Sequence, residues 1–176
     1  MWAQERCVLL AEDYFVGLEK YEKETTEHEV FYRRSDERAV KRTRPGRYGL
    51  AVGSQGKHRA ATPSLYFERL QLMNQVFSTD VGLEGIYILR DSPEPSIVTS
   101  QNWIQARDEK APYPSEQEIS AFMNSLGFVL LENAITKWRR ESDQIIVSDA
   151  REHNFINSVH GVFPVDLLIN RLIICD

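Results

Sequence analysis

Apolar and polar positions follow one another in short blocks that predict strands for much of the chain. Branched and aromatic residues fill residues 29–34 and 38–43, and the turn-forming residues 35–37 separate them, so the pattern predicts a hairpin. Residues 83–90 and 96–100 predict a second pair of strands in the same way. Nearer the C-terminus, short apolar runs predict strands at about 128–131, 135–139, 145–148, 155–157 and 162–165.

Helical spacing of apolar residues appears in three other segments. Residues 2–20 are predicted to form an amphipathic helix, because apolar side chains recur there every three or four positions, at Leu10, Tyr14, Leu18 and Tyr21. A second helix is predicted to begin at Thr62-Pro63 and to end near Phe77. Ser115 and Glu118 have the spacing of a capping box and predict a third helix, which Gly127 ends.

The second of these helices has an inner stripe that the pattern assigns to Leu65, Leu72 and Val76, with Glu68 at its edge. Before it, residues 42–64 contain four glycines and a Pro-Gly pair, which predict a long loop. The order of elements predicts an α+β fold with an antiparallel sheet in its first part.

The domain organisation expected from this order is one domain of residues 1–176 made of two unequal lobes. Residues 1–104 would form the first lobe and residues 115–176 a minimal second lobe. Residues 105–114, with several charges and two prolines, would link them.

Composition is that of an ordinary globular protein, with 42% hydrophobic and 27% charged residues. The chain has only two cysteines, Cys7 and Cys175, and its histidines show no zinc-binding spacing, so we expect a reducing cytoplasm and no metal–thiolate site. Charged residues near the N-terminus argue against a signal peptide, and no apolar run approaches the ~18 residues that cross a membrane.

Charge is unevenly distributed along the chain. Residues 33–59 contain nine basic and two acidic residues, which gives this segment a net charge of +7. The whole chain has a net charge of −5, so the residues outside this segment carry −12. A basic block of this kind is typical either of a solvated hairpin and loop or of a contact with a polyanion, such as nucleotide phosphates or nucleic acid.

The pattern that indicates a candidate catalytic site lies in residues 145–156, IIVSDAREHNFI. There an apolar run ends at Asp149, and Asn154 follows five positions later. An aspartate can accept a proton from a hydroxyl nucleophile, and an asparagine can give a metal a neutral oxygen ligand. This is the D-x-x-x-x-N spacing of the kinase catalytic loop. A structural turn, with both side chains bonded to nearby backbone, is the alternative that this pattern leaves open.

Further residues follow in the order that kinases have. Arg151 stands two positions after Asp149, and Asp166 follows Asn154 by twelve positions, after a predicted hairpin. Lys41 in RAVKRT is similar to the lysine of the V-A-I-K motif, and Glu68 is predicted to face inward as its partner. The chain therefore resembles the protein-kinase-like superfamily, and most of all the small kinase-like domains of bacterial and phage mobile-element ("polyvalent") proteins. The resemblance is carried by EHEVFYRRSDERAVKRTRPGRYG, TPSLYFERLQLMNQVF, LEGIYILRDSPEPSIVTSQNWI and SDAREHNFINSVHGVFPVDLLI.

That resemblance implies a reduced two-lobed kinase fold that binds ATP with Mg²⁺ between its lobes. Asp149 would be the catalytic base, with Arg151 reaching the transferred phosphate, and Asn154 and Asp166 would bind the metal. Lys41, held by Glu68, would contact the α/β phosphates. Residues 99–104 would be the hinge whose backbone meets adenine, including Gln101, Asn102 and Trp103.

The chain also departs from the kinase pattern. No G-x-G-x-x-G precedes the first hairpin, and Leu-Leu rather than Phe-Gly follows Asp166. Only ten residues follow Asp166, so the resemblance implies a truncated second lobe. Two main functions stay open: a Mg-ATP-dependent phosphotransferase acting on an unknown hydroxyl acceptor, and a non-catalytic kinase-like module that binds nucleotide or protein. Nucleic-acid binding through residues 33–59 is a further alternative.

Overall fold

The computed structural model describes residues 9–21, 27–52, 58–132 and 134–172. The chain divides into two compact units: the first draws on residues 1–50, 60–70 and 80–103, and the second on residues 51–59, 71–79 and 104–176. The regular elements, in chain order, are β1 (Glu19–Lys20), β2 (His28–Arg33), β3 (Arg38–Thr43), β4 (Leu50–Val52), β5 (His58–Ala60), α1 (Pro63–Phe77), β6 (Gly82–Ile88), β7 (Pro95–Asn102), α2 (Glu116–Ser125), β8 (Val129–Leu130), β9 (Trp138–Arg140), β10 (Ile145–Ser148), β11 (Phe155–Ser158), β12 (Gly161–Pro164) and β13 (Leu168–Arg171).

The first unit is built on a five-stranded sheet in the order β1-β2-β3-β7-β6, with every neighbouring pair antiparallel. Both predicted strand pairs are confirmed, since β2 pairs with β3 around the turn at 34–37 and β6 pairs with β7. The α+β class with an antiparallel sheet in the first part is therefore confirmed as well.

Each face of this sheet has its own apolar cluster. On one side, which we call the helix face, Ile97 packs with Tyr66 and Leu70 from the first half of α1. On the other side, the outer face, Val40 and Val98 pack with apolar residues of the segment 10–18. Because side chains alternate along a strand, the neighbours of Val40 on β3 point to the helix face.

The predicted helix over residues 2–20 is wrong for its described part, residues 9–20, which form consecutive turns and then β1. Backbone bonds there join Tyr14 to Ala11 and Val16 to Asp13, three residues apart, and Gly17 has a φ of +84° that no helix contains. The apolar spacing is real, but it reflects packing of this segment on the outer face of the sheet. Residues 2–8 lie outside the described part of the chain.

The second unit combines α2, the hairpin β11–β12 and a four-stranded sheet in the order β13-β10-β9-β8. Its main cluster gathers residues from the second half of α1, from α2 and from the sheet, among them Phe128, Val147 and Phe155, each at most 1% exposed. The predicted capping box is confirmed, because Ser115 accepts from the Glu118 N–H while the Glu118 carboxylate accepts from the Ser115 N–H. Gly127, with a φ of +80°, follows this helix as predicted.

Besides β1, three strands of the described residues were not predicted. β4 and β5 form a small two-stranded sheet within the predicted loop at 42–64, and β13 pairs with β10 beyond Asp166. The strand predicted at about 162–165 is confirmed as β12, which ends at Pro164, and Asp166 lies in the short connection to β13. No helix of the described residues is long and apolar enough to cross a membrane.

Candidate active site

The segment from Asp149 to Asn154 forms a tight loop directly after β10. Asp149 has a φ of +58°, the left-handed region that side-chain-bearing residues rarely adopt. The Arg151 N–H donates to the Asp149 carbonyl at 2.8 Å, and a single 3-10 turn over Glu152–Asn154 leads into β11. The loop therefore reverses the chain within five residues and turns Asn154 back toward Asp149.

Asn154 is held against Asp149 by two hydrogen bonds from its side-chain amide. Its Nδ2 donates to the Asp149 carbonyl oxygen at 2.7 Å and to the Asp149 Oδ2 at 3.0 Å. Asn154 is only 7% exposed, so the amide orients the carboxylate in a partly desolvated setting. Both contacts use the amide nitrogen, so Asp149 does not engage the amide oxygen of Asn154.

The hairpin β11–β12 brings Asp166 back to the same loop. Phe155 pairs with Pro164 at the base of the hairpin, one residue after Asn154. The Asn154 carbonyl then accepts from the backbone N–H groups of Val165 at 2.9 Å and Asp166 at 3.4 Å. Residues twelve apart in sequence, Asn154 and Asp166, are thus adjacent in the second unit.

Arg151 forms an ion pair with the same aspartate, its Nε lying 3.0 Å from Asp149 Oδ1. The Arg151 side chain is 62% exposed and that of Asp149 33%. The two carboxylate oxygens of Asp149 consequently have different partners: Oδ2 has a buried amide and Oδ1 a solvated guanidinium.

Buried apolar residues alternate with these polar ones and fix the backbone of the loop. Val147, Ala150, Phe155 and Leu167 all belong to the main cluster of the second unit, and none is more than 5% exposed. The Ala150 N–H also donates to the Thr136 carbonyl at 3.1 Å. The structure therefore brings four predicted residues of the second unit, Asp149, Arg151, Asn154 and Asp166, onto one anchored loop and its neighbour.

In the first unit, Lys41 lies in the middle of β3, opposite Val30 on β2 and Thr99 on β7. Its strand neighbours Val40 and Arg42 are directed to the outer face, where Arg42 lies over the ring of Phe15. Lys41 therefore belongs to the helix face and is partly buried there.

The prediction that Glu68 faces inward is wrong, because its side chain is exposed. The buried apolar residues of α1 are Leu72, which the predicted stripe included, and Tyr66, Leu70, Met73 and Phe77, which step by four, three and four residues and form the observed stripe. Choosing that stripe from the sequence would have placed Glu68 outside. The polar side chain that α1 does bury in the first unit is Arg69, whose Nη2 lies 2.7 Å from Glu27 Oε1. A role for Glu68 beside Lys41 stays a prediction.

The predicted hinge residues lie at the end of β7 with their backbone donors engaged. The Asn102 N–H donates to Asp80 Oδ1 at 3.1 Å, and the Trp103 N–H donates to the Glu37 carbonyl at 2.8 Å. Trp103 packs beside Tyr32, with 5.0 Å between ring centroids. Gln101, one position earlier, is only 4% exposed. That Gln101, Asn102 and Trp103 contact a nucleotide stays a prediction.

The basic block at 33–59 is extensively paired with carboxylates, several of which come from outside the block. Arg33 contacts Glu84 and Asp36, Arg34 contacts Glu19, Arg38 contacts Asp80, and Arg42 contacts Glu29. Much of the charge that the sequence concentrates there is therefore offset in the fold, which weakens the case for a polyanion contact through this segment.

The most developed of these pairs centres on Glu84. Its carboxylate accepts from Tyr14, Arg33 and Ser100. Burial acts to raise the pKa of Glu84, but the hydrogen bonds from Arg33, Ser100 and Tyr14 outweigh it and lower the pKa to about 2. Burial is also the largest cause of the raised pKa of Tyr14, followed by its bond to Glu84. This network is a structural feature of the outer face, and no residue pattern pointed to it.

Comparison with known proteins gives one match. The profile of a family described as "Serine/Threonine/Tyrosine Kinase found in polyvalent proteins" matches residues 1–171, a span that includes every residue of the predicted site. No curated protein and no solved structure matches the chain. A match over nearly the whole chain confirms the resemblance carried by the motifs around Lys41, Asp149 and Asp166. The chain belongs to the family of serine/threonine/tyrosine kinases found in polyvalent proteins.

Proposed function

We propose that this protein is a Mg-ATP-dependent phosphotransferase that acts on a hydroxyl acceptor, with the reduced two-lobed kinase fold that its motifs imply. The observation that carries the proposal is the geometry around Asn154. Its side-chain amide orients the Asp149 carboxylate, and its carbonyl accepts from the backbone of Asp166. These two contacts bring Asp149 and Asp166 together around one residue, as the proposed roles require.

Asp149 is the catalytic base in this proposal. A base must reach the acceptor hydroxyl, and the Asp149 side chain is 33% exposed although its loop is anchored on buried residues. Asn154 fixes one carboxylate oxygen through Oδ2, so the orientation of the group is set before an acceptor binds. Arg151, which is exposed and bonded to the other oxygen, is placed to exchange this partner for a transferred phosphate.

Asn154 and Asp166 are the proposed metal ligands. Mg²⁺ prefers oxygen ligands, and this pair offers the amide oxygen of Asn154, which Asp149 does not engage, and the carboxylate of Asp166, whose backbone is bonded to Asn154. The donor set therefore fits Mg²⁺, which would neutralise charge on the phosphates of bound ATP. The role of the protein is to hold these oxygens in place through the buried residues that flank them.

Two of the nucleotide contacts that we propose in the first unit, Lys41 and Gln101, lie on the helix face of the sheet. Lys41 supplies the charge for the phosphates, and Gln101, Asn102 and Trp103 lie toward the end of β7, at the side of the base. We leave Glu68 out of this assignment because its side chain is exposed. The cytoplasm remains the compartment that we propose, on the two-cysteine composition of the chain.

A non-catalytic kinase-like module is the second candidate, and one contact favours it. The Arg151–Asp149 ion pair occupies a carboxylate oxygen that a base would need. In a module without turnover this pair would simply stabilise the loop, and nucleotide binding would have no chemical consequence.

The test compares Asp149→Asn with Asp143→Asn. Asp143 is a matched control, because it also accepts from an arginine, Arg140, in the second unit but lies outside the loop. Mg-ATP affinity is measured by calorimetry, and transfer of the γ-phosphate is followed to the protein itself and to a library of hydroxyl-bearing peptides and small molecules. Asp149→Asn should keep its affinity and lose roughly 10²–10⁴-fold in transfer, the usual contribution of a general base.

The control Asp143→Asn should retain wild-type transfer. Two outcomes would count against the proposal: no Mg-ATP binding by the wild type at millimolar nucleotide, or unchanged transfer in Asp149→Asn. Nucleotide binding without transfer to any acceptor would favour the non-catalytic module.

A further inference from the structure

Ser148 carries a fully buried hydroxyl directly before the proposed base. It is the last residue of β10 and is 0% exposed, and its backbone pairs with Leu168 on β13. Asp149 is the next residue, and Asp166 lies two positions before Leu168. The pair Ser148–Leu168 is therefore the row of the sheet from which the chain reaches both acids of the candidate site.

The Ser148 side chain points away from the main cluster of the second unit. Ile145 and Val147 belong to that cluster, whereas Ile146 packs with Leu168 on the opposite face of the sheet. Alternation along β10 places the Ser148 hydroxyl on this second face. A buried hydroxyl needs a hydrogen-bond partner, because leaving it without one costs free energy. The partner of this hydroxyl thus helps to hold the strand end that precedes Asp149.

That partner is His58, a residue of the unpredicted strand β5. Its Nε2 lies 3.4 Å from the Ser148 Oγ, although the two residues are 90 positions apart in sequence. His58 belongs to the second unit, as Ser148 does, and is itself exposed. The distance is long for a hydrogen bond, so we expect the contact to matter for orientation more than for overall stability.

The backbone of Asp149 explains why its neighbours matter. With a φ of +58° it adopts a conformation that residues with a side chain rarely adopt, and such strain persists only where the surrounding structure imposes it. After Asp149, the Ala150 N–H is bonded to the Thr136 carbonyl. Before it, the Ser148 hydroxyl is bonded to His58. The loop is therefore held on both sides of the strained residue.

We infer that His58 is a positioning residue for Asp149. Its bond to the Ser148 Oγ fixes the end of β10 and so directs the Asp149 carboxylate toward the acceptor hydroxyl. Because the imidazole bonds to the residue before the base, it acts on the orientation of the carboxylate and not on the transferred proton. Small errors in the direction of a catalytic group lower the rate strongly. This inference deepens the proposed function and rests on it for the role of Asp149.

The test is a double-mutant cycle of His58→Ala and Ser148→Ala. The control is His160→Ala, because His160 is also an exposed histidine of the second unit but lies in the turn of the hairpin β11–β12. Transfer of the γ-phosphate is measured at saturating Mg-ATP with the same library of hydroxyl-bearing peptides and small molecules. Mg-ATP affinity and melting temperature are recorded for every variant.

Each single variant should lose on the order of tenfold in the transfer rate and keep the Mg-ATP affinity of the wild type. The double variant should lose no more than either single one, because the same bond is absent in all three. His58→Gln should recover most of the rate, since its side-chain amide can bond to the same hydroxyl. His160→Ala should transfer at the wild-type rate.

Two results would overturn the inference. A lower melting temperature with a wild-type transfer rate in His58→Ala would show that the bond is merely structural. Losses that multiply in the double variant would show that His58 and Ser148 act independently of one another.

The outcomes also separate this inference from the proposed function. If Asp149→Asn loses transfer while His58→Ala keeps the wild-type rate, the proposed base stands and the role of His58 fails. If Asp149→Asn transfers at the wild-type rate, both fail, because there is then no base to position. A wild type that transfers no phosphate would likewise remove both.

Discussion

Each unit of this protein is stabilised internally by a different kind of interaction. Among the described residues, the main cluster of the second unit contains thirteen buried residues, whereas the two clusters of the first contain four and three. The first unit instead covers its sheet with ion pairs and hydrogen bonds, such as the group around Glu84 and the Arg42–Glu29 pair. We expect the stability of the first unit to depend on pH and salt, and that of the second to depend on packing.

Removing one ring from the apolar cluster of the second unit should have the largest effect. Phe128 is 1% exposed and stacks on Phe77, with 6.1 Å between ring centroids. Phe128→Ala should lower the free energy of unfolding by ~3–5 kcal/mol, because it removes buried apolar area and leaves a cavity. Urea denaturation measures this, with Val129→Ala, whose side chain is 66% exposed, as the neighbouring control. A loss below about 1 kcal/mol would break the proposed contrast between the units.

Removing the charge at the centre of the first unit should have a smaller effect that depends on pH. Glu84→Gln removes one of the two carboxylate partners of Arg33, the other being Asp36, and should cost ~1–3 kcal/mol near neutral pH. The pKa of Glu84 falls from the ordinary 4.5 to about 2 in the folded protein. Its contribution is therefore present above about pH 4.5 and is lost as the pH falls toward 2.

The measurement compares urea midpoints of wild type and Glu84→Gln across this range. The difference between the two proteins should shrink as the pH is lowered, with Glu68→Gln, an exposed residue of the same unit, as the control. A difference that stays constant from neutral pH to pH 2 would show that packing, and not charge, accounts for the role of Glu84.

Removing a helix N-cap should have the smallest effect on stability. The N-terminus of α2, in the second unit, can be compared with that of α1. At α2, Ser115 and Glu118 form a complete capping box, whereas at α1 the Thr62 hydroxyl accepts from Leu65 N–H at a long 3.4 Å. Ser115→Ala should cost ~1 kcal/mol, and Thr62→Ala should cost less because the bond it removes is weaker. Equal losses in thermal denaturation would show that the difference in cap geometry has no energetic meaning.

Local sequence patterns predicted the fold well where the residues of an element are enough to determine its structure. The hairpin β2–β3, the pair β6–β7, helix α1 and the capping box of α2 follow from turn residues, periodicity and cap chemistry. The segment 9–20 was predicted wrongly because apolar residues at helical spacing there pack on a sheet while Gly17 reverses the backbone. Tertiary packing determines that outcome, so the periodicity of the segment alone cannot predict it.

The candidate site shows the same division. The spacing of Asp149 and Asn154 predicted two groups on one loop, and the structure brings them together. Whether Glu68 is predicted to face inward depends on which residues of α1 are taken as the buried stripe. The predicted stripe lies one position before the observed one, and this shift is enough to change Glu68 from inward-facing to exposed. The network around Glu84 depends on cross-strand register, which a single sequence does not specify for strands so far apart.

The left-handed backbone of Asp149 has a consequence for how this family can change. Few residues tolerate a φ of +58°, and among them asparagine matches aspartate in shape and lacks only its charge. Asparagine is also one nucleotide change away in the genetic code. If Asp149 is the base, a lineage can pass in one step from an active enzyme to an inactive one without adding backbone strain at this position. An alanine scan would obscure this, since alanine at this position adds backbone strain to the chemical loss.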